Sequence, residues 1–79
     1  MKNNYTSAEK QQLEQFGAHL RTVRLGCHFS QEKLAELAGL NRTYLGDVER
    51  GERNISLLNL MKLSKALRRT LPELLPEDF

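Results

Sequence analysis

The chain has 79 residues with 12 basic and 10 acidic side chains, for a net charge of +2, and a single cysteine. That length is room for one small domain spanning 1–79; an internal disulfide is excluded, and His19, Cys27 and His28 are too few and too scattered for a structural zinc site. No apolar run approaches the roughly 18 residues of a membrane span, and Met1-Lys2-Asn3-Asn4 lacks the apolar stretch of a signal peptide, so a cytoplasmic protein with no membrane partner is expected. The charges are interspersed without a block of like sign, and charge alone does not point to nucleic acid.

Val and Ile together number three and no Asn-Gly or Asp-Gly turn occurs, so hairpins have no support and the class is all-α. Thr6-Ser7-Ala8-Glu9 fits a capping box. Behind it Leu13, Phe16, Leu20, Val23 and Cys27 recur at helical spacing, which predicts a first helix over about 7–26 with Gly26 as its terminator. Ser30 caps a second helix beginning at Gln31, with a narrow apolar face of Leu34, Ala35 and Ala38 and a stop at Gly39. Asn41 caps a third, about 42–50, whose inward residues are Leu45 and Val48 and whose stop is Gly51. Ser56 caps a fourth, about 57–67, with Leu57, Leu60, Met61, Leu63 and Leu67 on the inward arc and Leu58 outside it. Thr70-Leu71-Pro72-Glu73 opens a last short helix, about 71–75, carrying Leu71, Leu74 and Leu75.

The second and third helices, joined through Gly39, form a helix-turn-helix at about 31–50. Ala35 is small enough for a close crossing, Gly39 permits a positive φ, and Leu40 and Val48 can lock the pair onto the first helix. The outward face of the third helix is Arg42, Thr43, Tyr44, Gly46 and Asp47, which is either a DNA-reading face or the solvated side of a plain bundle. No nucleophile, base and orienter set and no glycine-rich phosphate loop is legible, so neither catalysis nor a cofactor is expected; Cys27 reads as a small core residue.

From about Phe16 to Leu67 the chain resembles the lambda-repressor-like helix-turn-helix domain of phage repressors and xenobiotic-response-element regulators. The matching residues are Leu20, Val23, Arg24, Ser30-Gln31-Glu32-Lys33-Leu34-Ala35, Gly39-Leu40 and Val48-Glu49-Arg50-Gly51. The stretch Asn41-Arg42-Thr43-Tyr44-Leu45, then Val48-Glu49-Arg50-Gly51 and Arg53-Asn54, is similar to the controller proteins of restriction–modification systems. The resemblance implies a five-helix, dimeric, sequence-specific transcription regulator that binds its own operator as repressor or activator. Its partners would be duplex DNA, a second copy and RNA polymerase. A phage or plasmid repressor, or an operator-binding antitoxin, is the near alternative; a helical protein-interaction module that binds no DNA is the distant one.

The resemblance also implies a structural ion pair between Arg24 and Glu49, both at inward positions, with Arg24 also a candidate for phosphate. It implies a phosphate contact from Gln31, at a helix N-terminus that favours anions. Arg42 suits guanine, whose O6 and N7 match its fork, the alternative being a phosphate contact only. Thr43 can offer its methyl to thymine or its hydroxyl to phosphate. Asp47 can accept from cytosine or orient Arg42 or Arg50. Tyr44 fits a phosphate bond or packing on the second helix, and Asn41 can bond phosphate as well as cap. Arg50, Arg53 and Asn54 lie in the loop that follows the DNA backbone in the family. Gly46 stands where controllers commonly carry serine; close DNA approach or local looseness would explain it. Leu58, Leu71, Leu74, Leu75 and Phe79 exceed what one small core can use, so dimerisation through about 57–79 is expected, the alternative being that these leucines fold back onto the first helix.

Overall fold

The computed structural model describes residues 4–79, which leaves most of the segment read for a leader, Met1-Lys2-Asn3, outside the described residues. Four α-helices follow in order: α1 Ser7–Gly26, α2 Gln31–Ala38, α3 Arg42–Glu49 and α4 Leu57–Leu67. A single 3-10 turn, Pro72–Leu74, stands where a fifth helix was expected. It stops because Leu75 precedes Pro76, and the proline ring forces its neighbour out of helical geometry; Leu75 is extended, at φ −99° and ψ 140°.

Every α-helix begins with a side chain that accepts from the backbone N–H three residues on: Thr6, Ser30, Asn41 and Ser56. Thr6 and Glu9 complete the capping box, with bonds of 2.9 and 3.0 Å. Thr70 and Glu73 repeat the reciprocal pattern ahead of the 3-10 turn. The Thr70 backbone N–H bonded to the Glu73 carboxylate holds that group below the usual carboxylate range. This cap is therefore fully present above the ordinary carboxylate pKa and fades only as pH falls through the lowered one.

The helix ends share one device, a backbone bond reaching back five residues across a left-handed or tightly turned link. The bonds run from Phe29 to Arg24, Leu40 to Ala35, Glu52 to Asp47 and Arg69 to Ser64. Gly39 (φ 69°) and Gly51 (φ 79°) supply the left-handed residue as expected. Gly26 does not: the left-handed residue after α1 is His28 (φ 62°), and after α4 it is Arg68 (φ 55°).

The core is built from Leu20, Leu34, Leu45, Val48, Leu63 and Leu74, all essentially inaccessible. α1 packs on α3 and on the 3-10 turn, while α2 packs on α3 and α4. Leu74 therefore belongs to the interior. Its place in the expected dimer face is overturned: it folds back as the alternative foresaw and is 0 % exposed. The arc expected to face inward on α4 is also too wide. Leu63 and Leu67 are buried and Leu60 is partly buried, but Leu57 and Met61 stand 64 % and 49 % exposed.

Two glycines seat α1 against the end of α3. A Cβ on Gly17 would lie 2.4 Å from the Val48 carbonyl oxygen, and one on Gly51 would lie 2.7 Å from Glu14 Cα. Neither position tolerates a side chain while the helices keep this distance, and Gly17 gave no local signal in the sequence.

Candidate nucleic-acid interface

α2 and α3 are held at a fixed angle by a polar knot beneath them. Arg24 and Glu49 are 5 % and 6 % exposed and form the expected pair, with Nε donating to Oε2 at 2.6 Å and Nη2 to Oε1 at 3.0 Å. Arg24 Nη1 donates to the Phe29 carbonyl at 2.8 Å. All three guanidinium nitrogens are thus engaged inside the fold, as its structural role requires. Gln31 Nε2 donates to Glu49 Oε1 at 2.9 Å, which ties the first turn of α2 to the last turn of α3. The partly buried Gln31 keeps its position at the α2 N-terminus, where unpaired backbone N–H groups and the helix dipole favour an anion.

The exposed end of α3 carries Arg42 and Thr43 side by side, with Asn41 capping the helix through a 3.1 Å bond from the Tyr44 N–H. Arg42 Nε lies 3.9 Å from Glu32 Oε2, on the first turn of α2. Tyr44 is partly buried; its hydroxyl accepts from Asn59 Nδ2 at 3.1 Å, and the Arg53 guanidinium sits 5.3 Å above its ring. Tyr44 therefore packs toward α4 and the loop after α3, and its hydroxyl still has a proton to donate.

Asp47 differs most from its expected place as a base reader. Its carboxylate is 20 % exposed and already accepts from Arg50 Nη2, with Arg53 Nε 3.5 Å from its other oxygen. Arg50 also reaches Glu52 at 3.3 Å. Asp47 thus anchors Arg50, in line with one of its expected roles, and also Arg53, which was not foreseen, while Arg42 lies with Glu32 instead. Gly46 is buried: a Cβ there would meet Arg50 Nη1 at 3.4 Å and Gln31 Oε1 at 3.6 Å. The ends of those two side chains cover the glycine in the free protein. Asn54 is exposed in the loop beside Arg53. It lines a groove of about 300 Å³ with Tyr5, Phe16, Leu60, Leu75 and Phe79. Sequence reasoning missed Glu32 and Asn59, which meet Arg42 and Tyr44 from other helices, and also Glu52, which lies only two residues from Arg50 and was open to a local reading.

A capped first helix, a left-handed glycine and an exposed second helix braced by a third define a helix-turn-helix DNA-binding domain. The helix-turn-helix family profile matches residues 20–74, and the chain belongs to this family of transcription regulators. The chain is similar to control protein C.SmaI of Serratia marcescens, with 51 % identity over 57 residues, covering 72 % of this chain and 68 % of that protein. It is similar to control protein C.BamHI of Bacillus amyloliquefaciens, with 55 % identity over 53 residues, covering 66 % of this chain and 65 % of that one. Among solved structures, the restriction-modification controller protein C.AhdI from Aeromonas hydrophila superimposes with a TM-score of 0.77 at 52 % identity, over 78 % of this chain and 94 % of that one. No helix among the described residues is long and apolar enough to cross a membrane.

Proposed function

We propose that the chain is the controller of a restriction–modification system, a single cytoplasmic domain that binds its own operator as a homodimer and contacts RNA polymerase there without catalysing a reaction. The observation that carries this reading is the pairing of Arg42 and Thr43 on the exposed first turn of α3, above a knot that fixes the helix. The likeness to controller proteins supports it. In this reading Arg42 and Thr43 touch base edges. Gln31, Asn41, Tyr44, Arg50, Arg53 and Asn54 meet phosphates, and Asp47 holds Arg50 and Arg53 in place. A gel shift against the DNA upstream of the gene tests it. Arg42→Ala should lose about 1–3 kcal/mol of discrimination between that DNA and a random duplex. A wild-type protein that binds both duplexes equally would end the operator reading.

The second copy meets the first, in this proposal, through α4 and the chain end. Leu57, Leu58 and Met61 cover roughly 100° of the α4 wheel and are all exposed, as are Leu75 and Phe79, while Leu71 is partly buried. Solvent rarely meets so large an apolar stripe on a monomer. Leu57→Ser with Leu58→Ser should leave the fold intact, since these side chains are 64 % and 70 % exposed, and should give a monomer with weakened operator binding. Sedimentation at micromolar concentration reads the outcome, and an unchanged dimer would move the interface elsewhere.

A further inference from the structure

The arginines available to DNA do not present free charge. Arg42 faces Glu32 at 3.9 Å, Arg53 faces Asp47 at 3.5 Å, and Arg50 is shared between Asp47 and Glu52. Three guanidinium groups are thus matched by three carboxylates on the same surface. Glu49 is not among the three, being committed to Arg24. The Arg42–Glu32 and Arg50–Glu52 pairs are too exposed to add much to stability, and the arginine ends of the Asp47 pairs are more than half exposed as well. Their effect on an approaching polyanion is larger. Random duplex attracts a protein almost wholly through phosphates and the counterions they release. A face whose positive groups already carry carboxylates gives random sequence little of that attraction. Asp47 is the fixed centre of the arrangement: it is four-fifths buried, on the rigid third helix, and it touches two arginines at once.

We propose that Glu32, Asp47 and Glu52 form a charge screen that suppresses binding to random duplex and so sets the operator's advantage over it. This rests on the reading of the α3 face as the DNA-binding surface. An operator retains base contacts that the screen does not touch, whereas random DNA loses its main attraction. The three acids act through the arginines and are positioning and specificity residues; they make no base contact of their own.

The test is the affinity of the full chain for a random-sequence duplex and for its upstream duplex across a salt series. It compares wild type with Asp47→Asn/Glu52→Gln and, separately, with Glu32→Gln. Both changes keep the shape of the side chains, and thermal melts confirm folding. The paired variant should bind random duplex roughly tenfold more tightly at low salt, with a salt slope steeper by about one for each arginine released. The upstream duplex should gain less, so the ratio of the two affinities narrows. Glu9→Gln makes the same unit change of charge as Glu32→Gln at a residue that none of these arginines faces, keeps the cap of α1, and should gain clearly less than Glu32→Gln. Unchanged random-duplex affinity would overturn the proposal. A gain from Glu9→Gln equal to that of Glu32→Gln, or a joint loss on both duplexes, would overturn it as well. A wild-type protein that does not prefer its upstream DNA removes the operator reading, and the screen is then judged on random duplex alone.

Discussion

Glu49→Ala is expected to destabilise the domain by about 3–5 kcal/mol, because it strands one charge of a buried pair. The Glu49 carboxylate takes bonds of 2.6 and 3.0 Å from Arg24 and 2.9 Å from Gln31, at a site only 6 % exposed. Without it the Arg24 guanidinium keeps a single partner, the Phe29 carbonyl. Small domains hold a total of about 5–15 kcal/mol, so this one change removes a large share. At about 4–8 °C for each kcal/mol, the melting temperature should fall by more than about 12 °C. Replacing both partners with apolar residues of similar volume, Arg24→Met with Glu49→Leu, should recover most of the loss, since neither charge is then stranded. That folded double variant also separates stability from recognition. Gln31 has lost its anchor in it, so operator binding should stay weakened although the melting temperature is restored. A Glu49→Ala protein that melts within about 1 kcal/mol of wild type would mean the pair is open to water.

Features that depend on a few neighbouring residues were legible in the sequence. Thr6, Ser30, Asn41 and Ser56 each cap the helix they were assigned, because a cap is a bond between a side chain and a backbone group three residues away. Gly39 was legible for the same reason. His28 and Arg68 were not, since a non-glycine residue in the left-handed region leaves no mark in composition and is held there by the bond that closes each helix end. Periodicity located the apolar stripe of α4 but not how much of it is covered. Its main packing partner is α2, so Leu63 and Leu67 are buried while Leu57 and Met61 stay outside. Leu74 is buried because the 3-10 turn lies against α1, a tertiary fact with no local cause. The site divides the same way. Arg42 and Thr43 were read from the α3 face and the Asp47–Arg50 pair from its spacing, whereas Glu32 reaches Arg42 from α2 and Arg53 returns to Asp47 from the following loop, contacts that only the fold makes.

Gly17→Ala is expected to cost about 3 kcal/mol, although helix propensity alone would make it a gain of roughly 1 kcal/mol. The new methyl would lie 2.4 Å from the Val48 carbonyl oxygen, 2.5 Å from that of Glu49 and 2.7 Å from the Glu49 carbonyl carbon. All three are backbone atoms, so no rotamer change relieves the clash and α1 must move away from α3. That motion loosens Leu20 and Val48 in the core and pulls at the Arg24–Glu49 bond nearby. Gly51 sits on the same seam, where Glu14 of α1 would meet its Cβ, so the helix cannot tilt toward that end to escape. Gly26 in the same helix supplies the control. Nothing lies within 4 Å of a Cβ there, and its φ is not in the left-handed region. Gly26→Ala should therefore stabilise by about 0.4–1 kcal/mol through the unfolded chain's lost freedom. Urea denaturation of the two variants should move the midpoint in opposite directions. Equal shifts of the same sign would mean that α1 does not approach α3 as closely as the Gly17 contacts require.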